Sequence, residues 1–173
     1  MDTTIFYIIF GLMLIFGLIG QYFLNPYRKA NDMSIEEISR EEIEHILSWT
    51  IETLSEEYGV EPPKYKVGKV NNPEYGKGLP QEKGKVDGAV FIGHLNLIVL
   101  NEKYPTFGVP AGKLFGTICH EFQHYMDKLS MGSSDEWAKT YTENVDFYEM
   151  KAIQFGKTKS KELLKLYVNQ QIN

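Results

Sequence analysis

Residues 114–129 read LFGTICHEFQHYMDKL, and they combine a helical pattern with a group of chemically active side chains. After Pro110 the apolar residues recur at helical spacing, which predicts a helix that runs to about Leu129. His120 and His124 are four positions apart, so both side chains would lie on one face of this helix, about a turn apart. The spacing therefore predicts that the two imidazoles can bind one metal ion.

The segment His120-Glu121-Phe122-Gln123-His124 is an H-E-x-x-H motif. Neutral imidazole nitrogen is a good ligand for zinc, so Zn2+ is the predicted cofactor. Glu121 follows the first histidine and can reach water on the metal without being a ligand, which makes it the predicted general base. Two of the chain's four histidines lie in this motif, which argues against two histidines sharing a helix face by chance.

A catalytic zinc site needs a third protein ligand, and no histidine follows His124 in the chain. We expect a carboxylate from the next helical segment, predicted over residues 136–155. Glu149 is the preferred ligand because the small residue Ala152, one turn further along, would let this segment pack closely against the motif helix. The alternatives are Glu143 and Asp146.

His120-Glu121-x-x-His124 with a downstream Glu149-x-x-Ala152 resembles the gluzincin clan of zinc metallopeptidases. The short chain is similar to the small members of that clan, the minigluzincins and the ImmA/IrrE-type peptidases. The resemblance implies a zincin-like domain whose zinc is held by His120, His124 and Glu149. It also implies hydrolysis of a peptide or protein substrate, in which Glu121 takes a proton from zinc-activated water and passes it to the leaving amine.

The resemblance covers about residues 95–156 and departs from the family pattern at Ile153, where gluzincins often have an Asp or Asn that supports a ligand. Support for a ligand imidazole would then come from elsewhere. The candidates for that role are Asp127, Asn144 and Asp146. Such sites usually contain a further donor to the developing oxyanion. The candidates for that donor are His94, Tyr125, Tyr141 and Tyr148.

Three functions are consistent with these sequence patterns. The first is a membrane-anchored zinc metallopeptidase. The second is a catalytically weak or inactive zincin-fold protein with a regulatory or binding role, which the departure at Ile153 favours. The third is a structural membrane-tethered domain, which would bind no metal.

Residues 26–173 are predicted to form one α+β domain with a small mixed sheet. A capping box of Ser34 and Glu37 would begin a helix from Ile35 to Tyr58, which Gly59 would end. The other predicted elements are a strand over Lys64–Val70, a hairpin of Gly88–Ile92 and Leu95–Leu100, and helices at 136–155 and 160–171. The strand from Asn96 to Leu100 is either an edge that binds an extended substrate or an ordinary core strand. Residues 71–86 are predicted to be a long loop that either covers the cleft or lies at the surface.

The stretch from Ile5 to Leu24 contains no charged residue. A helix over it would be about 30 Å long, which matches the hydrocarbon core of a bilayer. Residues 1–25 are therefore predicted to be a transmembrane anchor. A cleaved signal peptide fits these residues less well than an anchor does, since no basic residue precedes the stretch and no Ala-x-Ala cleavage site follows it. Arg28 and Lys29 follow the span, which predicts that the main domain lies in the cytoplasm.

The composition of the 173-residue chain excludes several other classes of protein. It is 43% hydrophobic and 24% charged, which excludes a disordered protein. The net charge of −5 argues against a general nucleic-acid binder, so no nucleic-acid partner is predicted. The single cysteine, Cys119, excludes a disulfide framework, and we expect it to be a buried, inert thiol.

Overall fold

The structure, a computed structural model, describes residues 38–75, 88–103 and 112–172. Its helices are α1 (Arg40–Tyr58), α2 (Gly112–Met131), α3 (Ser134–Glu143) and α4 (Val145–Ile172), and its strands are β1 (Lys64–Gly68), β2 (Ala89–Ile92) and β3 (Leu97–Asn101). These elements confirm the predicted α+β class and the predicted small mixed sheet.

The predicted anchor at residues 1–25 lies outside the described residues, and so do Arg28, Lys29 and most of the predicted loop at 71–86. Within the described ranges, no helix has both the length and the apolar character needed to cross a bilayer. The transmembrane segment therefore stays a prediction from the sequence.

Strand β3 occupies the centre of the sheet. It pairs in parallel with β1 on one side, from Lys64↔Leu97 to Gly68↔Asn101, and antiparallel with β2 on the other. All five residues of β3 are buried, as expected of a strand that has neighbours on both sides. The core-strand alternative for residues 96–100 is thus confirmed and the edge alternative is wrong.

The predicted hairpin of β2 and β3 is confirmed by their antiparallel pairing. A one-turn 3-10 helix, Gly93–Leu95, connects the strands. The indole of Trp137 in α3 packs directly on Gly93, where an added Cβ atom would lie 2.9 Å from the ring. The Ser134 hydroxyl also donates a hydrogen bond to the Gly93 carbonyl at 3.1 Å. These contacts fix the start of α3 against the hairpin.

Helix α1 begins at Arg40, later than the predicted Ile35. The N-cap is Ser39, whose side-chain oxygen accepts a hydrogen bond from the main-chain N–H of Glu42. The Ser-x-x-Glu pattern thus occurs twice in close succession, and the second copy caps this helix. Its end is as predicted, because Gly59 adopts the left-handed conformation at φ 64°.

The predicted division into helices at 136–155 and 160–171 is wrong. The break lies at Asn144, between α3 and α4, and α4 then continues without interruption to Ile172. The Asn144 side-chain amide donates to the Thr140 carbonyl, and its main-chain N–H donates to the Tyr141 carbonyl. This termination puts Glu149 near the start of α4 rather than in the middle of a helix.

Helix α2 packs against α1, α3, α4 and β2, so the motif lies on the central element of the fold. Four of its apolar side chains are at most 2% exposed: Leu114, Phe115, Ile118 and Phe122. Burial of each such side chain stabilises the fold by about 1.5–3 kcal/mol. The two histidines therefore project from a firmly packed helix.

Helices α2 and α4 come close together at Gly116 and Gly156. A Cβ atom added to Gly156 would lie 2.7 Å from the Gly116 carbonyl oxygen. One turn before Gly156, Ala152 is completely buried. This close approach agrees with the close packing predicted from Ala152. It brings Glu149, near the start of α4, next to the two histidines.

A Gly156→Ala substitution is expected to lower the free energy of unfolding by about 1–3 kcal/mol, because the added methyl group meets rigid backbone. The measurement is chemical denaturation followed by circular dichroism. Gly116→Ala is the matched control, since its Cβ would find nothing nearer than 3.7 Å. Equal stabilities of the two variants would contradict the proposed close contact.

Candidate metal centre

Three side chains from two helices converge at the start of α4. The Nε2 atoms of His120 and His124 are 3.1 Å apart. The Glu149 carboxylate reaches both, with Oε2 3.4 Å from His120 Nε2 and Oε1 3.2 Å from His124 Nε2. The structure thus brings together the three residues that the sequence singled out as ligands. The alternative ligands Glu143 and Asp146 are exposed and are not part of this cluster.

The spacing of these atoms fits a metal ion. Ligand atoms placed tetrahedrally at about 2.0–2.1 Å from zinc are about 3.3 Å from one another. The three separations in the cluster, 3.1, 3.2 and 3.4 Å, are close to that value. Two imidazoles and one carboxylate also form a donor set that catalytic zinc sites use, with a fourth position left for water or substrate. The residues therefore fit zinc in both geometry and chemistry.

The electrostatics of the cluster favour a cation. Hydrogen bonding to His120, and then to His124 and Tyr141, holds the pKa of the Glu149 carboxyl well below its usual range. Glu149 is consequently ionised across the physiological pH range, and a metal ligand must be in that form.

Glu121 lies beside the cluster but not within it. Its side chain is only 8% exposed, and burial raises the pKa of its carboxyl, while His124 and His120 oppose that rise. The main-chain N–H of Phe91 also lowers the pKa of this carboxyl, which places that N–H close to it. The Asn101 N–H donates a hydrogen bond to the Gly88 carbonyl, so these two residues form a hydrogen-bonded pair between β3 and β2. Hydrogen-bonded and non-hydrogen-bonded pairs alternate along antiparallel strands. Phe91 belongs to a non-hydrogen-bonded pair, and its main-chain N–H therefore points away from β3. The edge of β2 that faces away from β3 thus lies beside the predicted general base.

The three predicted supports for a ligand imidazole do not contact one. Asp127 accepts a hydrogen bond from Gln123 at 3.0 Å and pairs with the Lys151 ammonium group. Asn144 is bound to a carbonyl of α3, and Asp146 is exposed. Among the described residues, no group bonds the buried Nδ1 atom of His124.

The candidate oxyanion donors have different surroundings. His94 is exposed on the hairpin connection. The Tyr125 hydroxyl donates to the Glu61 carbonyl at 2.6 Å, so it is already engaged in a structural contact. The Tyr141 hydroxyl donates to Glu149 Oε1 at 2.5 Å, and the Tyr148 ring stacks on that of Tyr141. Tyr141 therefore contacts a predicted ligand, a role that the sequence alone did not indicate.

Cys119 is fully buried, which confirms the expected buried thiol. Burial raises its pKa to about 12, so the thiol is protonated at neutral pH.

We expect Cys119 in the folded protein to react much more slowly with a thiol reagent at pH 8 than in denaturant, because the thiolate is the nucleophile. Absorbance with an aromatic disulfide reagent measures this, and the reaction in guanidinium gives the total thiol as control. Immediate labelling of the folded protein would contradict the burial of this residue.

No protein-family model matches the chain, and no curated protein or solved structure is significantly similar to it. The feature of the chain that bears on its function is therefore the cluster of His120, His124 and Glu149.

Proposed function

We propose that this protein is a zinc-dependent peptidase of the gluzincin type, with a zincin-like domain tethered to a membrane. The observation that carries the proposal is the convergence of His120, His124 and Glu149 at spacings that suit one zinc ion. A fourth residue, Glu121, lies next to the cluster and is buried without joining it. That division between three ligands and one adjacent carboxylate is the arrangement that metal-assisted hydrolysis requires.

Zinc, when bound, would acidify water and polarise the scissile carbonyl. Glu121 would accept the proton of the attacking water and deliver it to the leaving amine. The Phe91 N–H would keep the Glu121 carboxylate directed towards the site through both transfers. Among the described strands, β2 and not β3 has an edge without a strand partner on which an extended substrate could add, because β3 is paired on both sides.

The membrane tether and the cytoplasmic side are also part of this proposal. They are supported by the uncharged stretch from Ile5 to Leu24 and by Arg28 and Lys29, which follow it. A tether would raise the local concentration of substrates at the membrane surface.

The metal content of the purified full chain tests the proposal. We expect about one zinc per chain by mass spectrometry, and its loss in His120→Ala, His124→Ala and Glu149→Ala. His45→Ala is the matched control, because this exposed histidine on α1 lies outside the cluster. A folded protein that takes up no zinc, even when zinc is supplied, would refute a zinc peptidase.

A second candidate function is a zincin-fold regulatory or binding protein with little or no turnover. It is favoured by the Nδ1 atom of His124, which has no hydrogen-bond partner among the described residues, although metal-binding histidines usually have one. Incubation of the zinc-loaded chain with a diverse peptide mixture separates the two functions. Stoichiometric zinc without cleavage of any peptide would support the binding protein.

A further inference from the structure

We propose that Tyr141 is a positioning residue that holds Glu149 in place as the third metal ligand. The inference rests on the proposed zinc site and assigns a role to a residue that lies outside the H-E-x-x-H motif. Its hydroxyl donates to Glu149 Oε1 at 2.5 Å. Tyr141 would thus act on the metal through Glu149.

Glu149 needs such a contact because its side chain is 36% exposed. A glutamate with that much access to solvent has several rotamers open to it, and only some direct the carboxylate at the histidines. Ile153, one turn further along α4, is apolar and 45% exposed, so its side chain offers no hydrogen bond to this carboxylate. The Tyr141 hydroxyl gives the carboxylate a fixed partner from a different helix.

Tyr141 can fix Glu149 because its own ring is fixed. The residue is 8% exposed. Its ring packs against Trp137, with centroids 5.2 Å apart, and stacks on Tyr148 at 6.0 Å. Trp137 in turn packs on Gly93 in the connection between β2 and β3. A continuous series of packed groups therefore joins the sheet to the Glu149 carboxylate.

The same ring contacts a second ligand. The Tyr141 and His124 rings are in edge contact, with centroids 5.5 Å apart and planes at 87°. The Nδ1 atom of His124 has no hydrogen-bond partner among the described residues. Among those residues, the contact with the Tyr141 ring therefore helps to orient this imidazole. Tyr141 consequently contacts one ligand through its hydroxyl and another through its ring.

The test compares Tyr141→Phe with wild type in the full chain, using competition with a chromophoric chelator to measure zinc affinity. We expect Tyr141→Phe to bind zinc about 10–100-fold more weakly, the usual effect of losing a group that orients a ligand. The aromatic stack is retained, so circular dichroism of the metal-free protein should be unchanged. The absorption spectrum of the cobalt-substituted variant should also change, since the carboxylate is less constrained.

Tyr148→Phe is the matched control, because it removes a hydroxyl from the same aromatic stack without removing a bond to Glu149. Its zinc affinity should equal that of wild type. Equal affinity in Tyr141→Phe and wild type, or equal losses in both variants, would overturn the positioning role and leave the zinc site intact. Failure of the wild-type chain to bind zinc would instead overturn the proposed function together with this inference.

Discussion

Replacing Glu121 with glutamine is expected to lower peptide hydrolysis by about 10²–10⁴-fold, the range that a general acid–base group contributes. Glutamine has nearly the same shape and keeps an oxygen that can accept the Phe91 N–H. It cannot take up a proton from water. Because Glu121 is not one of the three clustered residues proposed as ligands, zinc content should stay at the wild-type level. The measurements are initial rates on a cleaved peptide and metal analysis of the same sample.

A second property of Glu121→Gln follows from burial. In the metal-free protein, burial raises the pKa of the Glu121 carboxyl above its unfolded value of about 4.3. The folded state therefore binds the proton more tightly, and stability from this group is lost as pH rises from about 4.3 through the raised pKa. Wild type should lose stability relative to the glutamine variant over that interval, as denaturation in the presence of a chelator would measure.

Two outcomes would contradict the assigned role of Glu121. Retention of most of the hydrolytic activity would mean that another group accepts the proton. Loss of zinc together with activity would mean that Glu121 helps to bind the metal. His45→Ala, which alters an exposed residue far along the chain from the motif, serves as the activity control.

Local patterns in the sequence were sufficient to predict the motif helix and the hairpin. Helix α2 has a strong apolar period around His120 and His124, and the β2–β3 connection is short enough to require adjacent antiparallel strands. The prediction of a third, carboxylate ligand follows from a chemical requirement, since two histidines alone do not make a catalytic zinc site. The preference for Glu149 follows from the small residue Ala152 one turn further along.

The sequence-based predictions are wrong at positions where contacts between residues far apart in the chain outweigh local conformational preference. Glycine in a helix costs about 1 kcal/mol relative to alanine, so local preference at Gly156 disfavours a continuous helix. The helix nevertheless continues through Gly156, where α2 approaches so closely that an added Cβ atom would lie 2.7 Å from the Gly116 carbonyl oxygen. The central position of β3 likewise depends on parallel pairing with β1, which is distant in the chain. The contacts of Phe91 with Glu121 and of Tyr141 with Glu149 also arise only on folding.

Zinc is expected to stabilise the folded chain strongly, because the cluster proposed to bind it joins α2 to α4 and would not persist in the unfolded chain. Free zinc at about 1,000 times its dissociation constant should add about 4 kcal/mol to the free energy of unfolding. For a chain of this size that corresponds to a rise of about 8–16 °C in the thermal midpoint. Thermal melts of the full chain with zinc and with a chelator measure the difference.

The dependence of this gain on individual ligands separates specific binding from general effects of zinc. His124→Ala should abolish most of the rise, because His124 is 4% exposed and cannot be replaced by a neighbouring side chain without repacking α2. Gly116→Ala and His45→Ala should retain it, since neither change touches a ligand atom. An equal rise in His124→Ala would locate the stabilising zinc elsewhere in the chain. No rise in wild type would mean that the converging histidines and carboxylate hold the helices together without a metal.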